Sequence, residues 1–98
     1  MSDYSVNILY IEVEIFLPYS QSLKDKRRVT RRLKDGLRSH FNLAIAEIGL
    51  LDQWQRMAVG ITLIGTKNRQ LQELQSSIEN WIRERIDGEL VLFCADWL

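Results

Sequence analysis

Val6–Leu17 reads VNILYIEVEIFL, with Pro18 directly after it. Ile11, Val13, Ile15 and Leu17 fall on one side and Tyr10, Glu12, Glu14 and Phe16 on the other, the alternation of a strand with one buried face. Pro18 ends it, because a proline has no N–H to give to the sheet ladder. Ser22 then stands where a helix N-cap belongs, with Asp25 three positions on as an acidic first-turn partner. A strand, a stop and a capped helix open a β-α-β unit, and the rest of the chain repeats the theme.

The helix after Ser22 is expected to run to about His40. At roughly 100° per residue, Lys26, Val29, Thr30, Leu37 and His40 gather around Leu33, while Lys24, Arg27, Arg28, Arg31, Lys34 and Arg38 fall on the opposite half. Leu43–Leu51 reads as a second strand and Gln55–Ile64 as a third, joined by a short hairpin connection at Asp52, Gln53 and Trp54. Gly65 and Thr66 break the pattern. Thr66 or Asn68 is expected to cap a second helix, in which Leu71, Leu74, Gln75, Ile78, Ile82 and Ile86 recur at helical spacing. Asp87-Gly88 predicts a left-handed stop, and Glu89–Trp97 a last apolar strand.

The order strand, helix, strand, strand, helix, strand predicts an α+β fold. With right-handed crossovers, two β-α-β halves interleave into a ferredoxin-like βαββαβ sandwich. Its four-stranded antiparallel sheet has order 4-1-3-2, with two helices on one face. An open α+β sheet of another order is the alternative. Ninety-eight residues make a single domain over 1–98.

Two helices cover only one face of such a sheet. Met57, Val59, Ile61 and Leu63 alternate with Ala58, Gly60, Thr62 and Ile64; in the last strand, Leu90, Leu92 and Cys94 alternate with Val91, Phe93, Ala95 and Trp97. Strands apolar on both sides are usually covered on both. A homodimer packed partly through the open face is therefore expected, with Glu12 and Glu14 at its rim.

At 46% apolar and 27% charged, the chain has the composition of a globular domain. Cys94 is the single cysteine, so no internal disulfide can form, and a reducing cytoplasm is the expected compartment. The amino terminus carries an acid where a signal peptide needs bases, and no apolar run reaches membrane-span length.

Zero formal net charge hides a segregation. Between Ser22 and Arg38 lie Lys24, Lys26, Arg27, Arg28, Arg31, Arg32, Lys34 and Arg38, eight of the thirteen bases, against only Asp25 and Asp35. That segment carries about +6 and the remainder about −6. Unpaired cations on adjacent turns repel one another. Lys24, Arg27, Arg28, Arg31, Lys34 and Arg38 are therefore assigned as a polyanion-binding stripe, suited to a phosphate backbone and without a base-reading pattern.

Other chemistry is poorly represented. His40 and Cys94 are each single, so no metal site is expected; His40 reads as a partly buried, hydrogen-bonded structural residue and Cys94 as a small core residue. No Gly-rich phosphate loop is present. The loop Pro18-Tyr19-Ser20-Gln21 lacks the arginine of an acylphosphatase. The third strand lacks the aromatic residues with which RNA-recognition domains stack bases. Glu47, Asp52, Trp54, Gln55 and Arg56, around the hairpin, form a candidate recognition corner, although a Trp folded over the sheet edge with Asp52 capping the turn is the commoner arrangement. No catalytic residues and no cofactor are assigned.

Leu17-Pro18, SLKDKRRV at Ser22–Val29, Ala46-Glu47, Asp52 and Trp54-Gln55-Arg56 together resemble the YlxP-like family of small bacterial proteins of unknown function. The resemblance spans nearly the full length and implies a ferredoxin-like fold. Genes of that family often lie beside those for translation initiation and ribosome maturation factors, which implies a place near RNA or the ribosome. The resulting expectation is a non-enzymatic, cytoplasmic, dimeric protein contacting RNA or a ribosome-associated partner through the basic stripe. A homodimeric protein-interaction or regulatory module using its open sheet face is the alternative.

Overall fold

The computed structural model describes residues 4–98. Six elements follow one another as expected: β1 (Asn7–Phe16), α1 (Leu23–His40), β2 (Ala44–Gly49), β3 (Arg56–Gly65), α2 (Asn68–Arg85) and β4 (Glu89–Trp97). The strands form one antiparallel sheet in the order β2-β3-β1-β4, which is the expected 4-1-3-2 read from the other edge. The fold is the ferredoxin-like α+β sandwich. Neither helix is long and apolar enough to cross a membrane.

The alternation in β1 sets the core. Leu9, Ile11, Val13 and Ile15 are buried and pair across the sheet with Leu63, Ile61, Val59 and Met57 of β3, which are buried too. Leu33 and Leu37 from α1, and Leu71, Ile78 and Ile82 from α2, close over this layer. Ser22 caps α1 as expected: its hydroxyl accepts from the Asp25 N–H at 3.0 Å, and the Asp25 carboxylate accepts from the Gln21 N–H at 3.0 Å.

Several local expectations are corrected. Neither Thr66 nor Asn68 caps α2; the N-cap is Lys67, in extended backbone and without a side-chain hydrogen bond, and Asn68 is already helical. Gly88 is not left-handed. The helix ends instead at Ile86, whose N–H donates to Ile82 O at 2.9 Å. Gly88 is required for space, since a Cβ there would lie 2.4 Å from Phe16 O where β4 starts beside the end of β1. Leu90 does not share a side with Leu92 and Cys94. An irregularity in the β1–β4 pairing leaves Val91 unpaired and turns Leu90, opposite Ile15, toward the core.

The open face also differs in detail. Glu12 and Glu14 lie on a central strand, opposite Gly60 and Ala58, and so cross the middle of that face rather than rim it. Cys94 is exposed there opposite Glu12, not buried, because its strand alternates outward at that position. His40 is exposed rather than partly buried; its Nδ1 is hydrogen-bonded to Gly36 O at 3.0 Å and its ring tilts against Trp81.

Candidate functional site

The buried residues of α1 are Lys26, Thr30, Leu33 and Leu37, one face of the helix at three- and four-residue steps. The opposite face therefore points outward as a unit. Lys24, Arg27, Arg28 and Arg31 are exposed, Lys34 is half-buried, and Arg32, which the stripe assignment omitted, is exposed beside them. Arg32 could have been found from the same wheel, because it lies as far from Leu33 on one side as Lys34 does on the other. Lys24, Arg27, Arg28, Arg31, Arg32 and Asp35 line a shallow groove of about 390 Å³ along the helix.

The two acids of this segment do little to neutralise it. Asp25 is engaged at the helix start. Asp35 pairs with Arg38 at 3.8 Å, and Arg38 also donates to Ile45 O at 3.3 Å. Arg38 thus ties the end of α1 to β2 and is the least available member of the assigned stripe. Among the described residues, no carboxylate forms an ion pair with Lys24, Arg27, Arg28, Arg31, Arg32 or Lys34.

Helix α2, also of 18 residues, treats its cations differently. Arg69 pairs with Glu73 at 3.5 Å, Arg83 with Glu79 at 3.0 Å and Arg85 with Glu84 at 3.2 Å. Two helices of equal length in one domain thus carry arginines of opposite status. Those of α2 are balanced on their own helix, and most of those of α1 are not.

The hairpin residues are divided: Glu47 and Asp52 both act on the Lys26 ammonium, whereas Gln55 and Arg56 are engaged elsewhere. Glu47 is half-buried opposite the core residue Val59, on the helix side of β2. Asp52 and Trp54 are exposed in the connection. Gln55 reaches back to the β1–α1 loop, its amide donating to Pro18 O at 3.3 Å and Ser20 O at 3.2 Å. Arg56 turns toward the open face and pairs with Glu14.

What links the hairpin to α1 is a residue outside both assigned sets. Lys26 is 2% exposed, and its ammonium donates to the carbonyl oxygen of Leu50, which adopts the left-handed region at φ 57°. Burial pushes the Lys26 pKa down, reinforced by Arg27, while the carboxylates of Glu47 and Asp52 act the other way. The sequence signal was a lysine on the Leu33 side of the helical wheel; nothing local identified its partner.

On the open face, Tyr10 and Ile48 lie over Gly60, where a Cβ would come within 3.0 Å of both side chains. Burial and the adjacent Glu12 carboxylate push the Tyr10 phenol pKa up, with a smaller contribution from Cys94. Among the described residues, no three His, Cys, Asp or Glu side chains gather in a metal-holding cluster.

Residues 8–93 match the family described as "Protein of unknown function (DUF503)". The chain is also 37% identical over 88 residues to the uncharacterized protein YlxP of Bacillus subtilis (strain 168), an alignment that covers 90% of this chain and 96% of that protein.

Proposed function

This chain belongs to the DUF503, YlxP-like family of unknown function, and from that premise we propose that it is a non-enzymatic RNA- or ribosome-associated accessory protein. It contacts a polyanion through the outward face of α1. The observation that carries this reading is the contrast between the helices: α2 balances Arg69, Arg83 and Arg85 with its own glutamates, whereas α1 leaves Lys24, Arg27, Arg28, Arg31, Arg32 and Lys34 without carboxylate partners among the described residues. Like charges at three- and four-residue spacing destabilise a helix. A surface that keeps them together is suited to an external anion.

The chemistry is that of backbone attachment. Cations on one ridge displace the counterions condensed on a nucleic acid, and the released ions supply the free energy. With about five phosphates neutralised, log affinity for a single strand falls against log salt with a slope near −3.5. Phosphate contacts fix position and carry no sequence information. The triple variant Arg27→Glu, Arg31→Glu, Lys34→Glu is expected to fold normally and to lose salt-sensitive RNA binding. Unchanged binding would refute the assignment.

A second reading is supported by the open sheet face, where Ile48, Ile64 and Leu92 are exposed around Tyr10 and Gly60. On this reading the protein is a homodimeric interaction module. Its association would be insensitive to salt and would carry the negative heat-capacity change of apolar burial. Sedimentation at micromolar concentration tests this second reading, because a monomer there removes it, and the salt dependence of binding separates it from the first.

A further inference from the structure

Between α1 and α2, at the flank of the basic groove, lies a slot of about 330 Å³, at the lower end of the size range of small-molecule sites. Its apolar walls are Val29 and Leu33 from α1, Trp81 from α2 and Ile86 beyond it. It owes its shape to Gly36. A Cβ there would lie 2.5 Å from Trp81 Cη2, so only glycine lets the indole rest against the α1 backbone. The Arg85 guanidinium lies 4.9 Å from the centroid of that indole, adding a flat cationic surface.

Beside Arg85, two further charged residues at this slot select its occupant. Arg32 lines both the slot and the basic groove, is exposed, and has no carboxylate partner among the described residues. One guanidinium thus borders both, and a ligand that leaves the groove for the slot keeps Arg32 as a contact. Asp87 lines the slot too and offers an acceptor to a donor edge. A fatty acyl chain would cover the Asp87 carboxylate without offering it a donor, and a phosphorylated sugar has no flat ring for the guanidinium or indole.

We propose that this slot takes one base of a single-stranded RNA whose phosphates follow the α1 ridge, with Arg32 holding the phosphate at the turn-in. The proposal rests on the polyanion reading above and adds to it a base-binding position. Bases splayed from a single strand stack on aromatic rings or arginine planes in this way.

The test compares three probes on the isotope-labelled protein by NMR: octa-adenylate, linear polyphosphate of matching phosphate number, and an acidic peptide of Glu and Phe. Octa-adenylate is expected to shift the methyl resonances of Val29, Leu33 and Ile86, while polyphosphate shifts only residues of the basic ridge. Val29→Trp, which fills the slot, is expected to weaken octa-adenylate binding by about fivefold or more and to change polyphosphate binding by less than about twofold. Arg85→Ala, at an exposed position, serves as a second variant with the same expected direction if the tryptophan disturbs folding. Equal affinity for octa-adenylate and polyphosphate with still slot resonances would overturn the base-binding position and leave the ridge standing. Binding of neither would overturn the RNA reading and this inference together. Entry of the acidic peptide alone would assign the slot to a protein partner instead.

Discussion

The ammonium of Lys26 donates to the carbonyl oxygen of Leu50, and the same oxygen accepts the N–H of Gln53 at 3.1 Å. One backbone atom thus closes the hairpin turn and anchors it to the buried side of α1. The two most distinctive segments of the chain meet here. The left-handed backbone at Leu50 places its carbonyl in this position, a conformation that costs an ordinary L-residue about 1–2 kcal/mol.

Shortening Lys26 separates the packing of its stem from the hydrogen bond of its head. Lys26→Met keeps most of the volume, and Leu50 O retains Gln53, so the expected loss is about 1 kcal/mol. Lys26→Ala leaves a cavity as well and is expected to cost about 3 kcal/mol. Urea unfolding of both variants measures the difference, and equal losses would mean that the stem contributes nothing.

The buried ammonium also makes stability depend on pH. The folded pKa of Lys26 lies below the ordinary 10.5. Between the two values the folded protein has released a proton that the unfolded chain still holds, so stability rises with pH across that window. Below the folded value the cost of burying the charge is present in full. Relative to Lys26→Met, the wild-type chain is therefore expected to gain stability as pH climbs toward 10. Because Tyr10 is common to both chains, its raised pKa largely cancels in the comparison. A flat or falling difference would contradict this assignment.

Gly88 and Gly36 are both close-approach glycines, yet they face different obstacles. An added Cβ at Gly88 would meet the Phe16 carbonyl, which is main chain, whereas at Gly36 it would meet the ring of Trp81, which is a side chain. Both alanine variants are expected to lose about 1–3 kcal/mol, with Gly88→Ala the worse. Trp81→Leu should restore part of the loss at Gly36 and none at Gly88, a coupling that a double-mutant cycle reads directly.

Thinning the ridge should trade binding for stability. Arg31 lies one turn from Arg27 and Arg28, and none of the three has an acidic partner among the described residues. Arg31→Gln is expected to stabilise the free protein by about 0.2–0.5 kcal/mol at low salt, an effect that fades as salt screens the ridge. RNA affinity should fall in the same variant. A loss of stability would instead mark Arg31 as part of the scaffold.

The amino-acid order alone was enough for the features set by strong local periodicity, though not for the cap of α2, where Lys67 stands in place of the expected Thr66 or Asn68. The alternation from Leu9 to Ile15, the stop at Pro18, the Ser22 cap and the outward cations of α1 follow from local periods of two and 3.6, and the element order then limits the sheet to few arrangements. Even the inward direction of Lys26 was legible on the helical wheel. Its partner was not, since Leu50 stands 24 residues away and is presented by a turn whose left-handed position holds a leucine rather than a glycine or asparagine. Tertiary structure likewise decided that Val91 and Ile48 fall out of register, that Gly88 serves space rather than a left-handed turn, and that Arg32 joins a groove to a slot. Each of these depends on how closely two distant stretches of backbone approach, a distance that emerges only when the whole core packs at once.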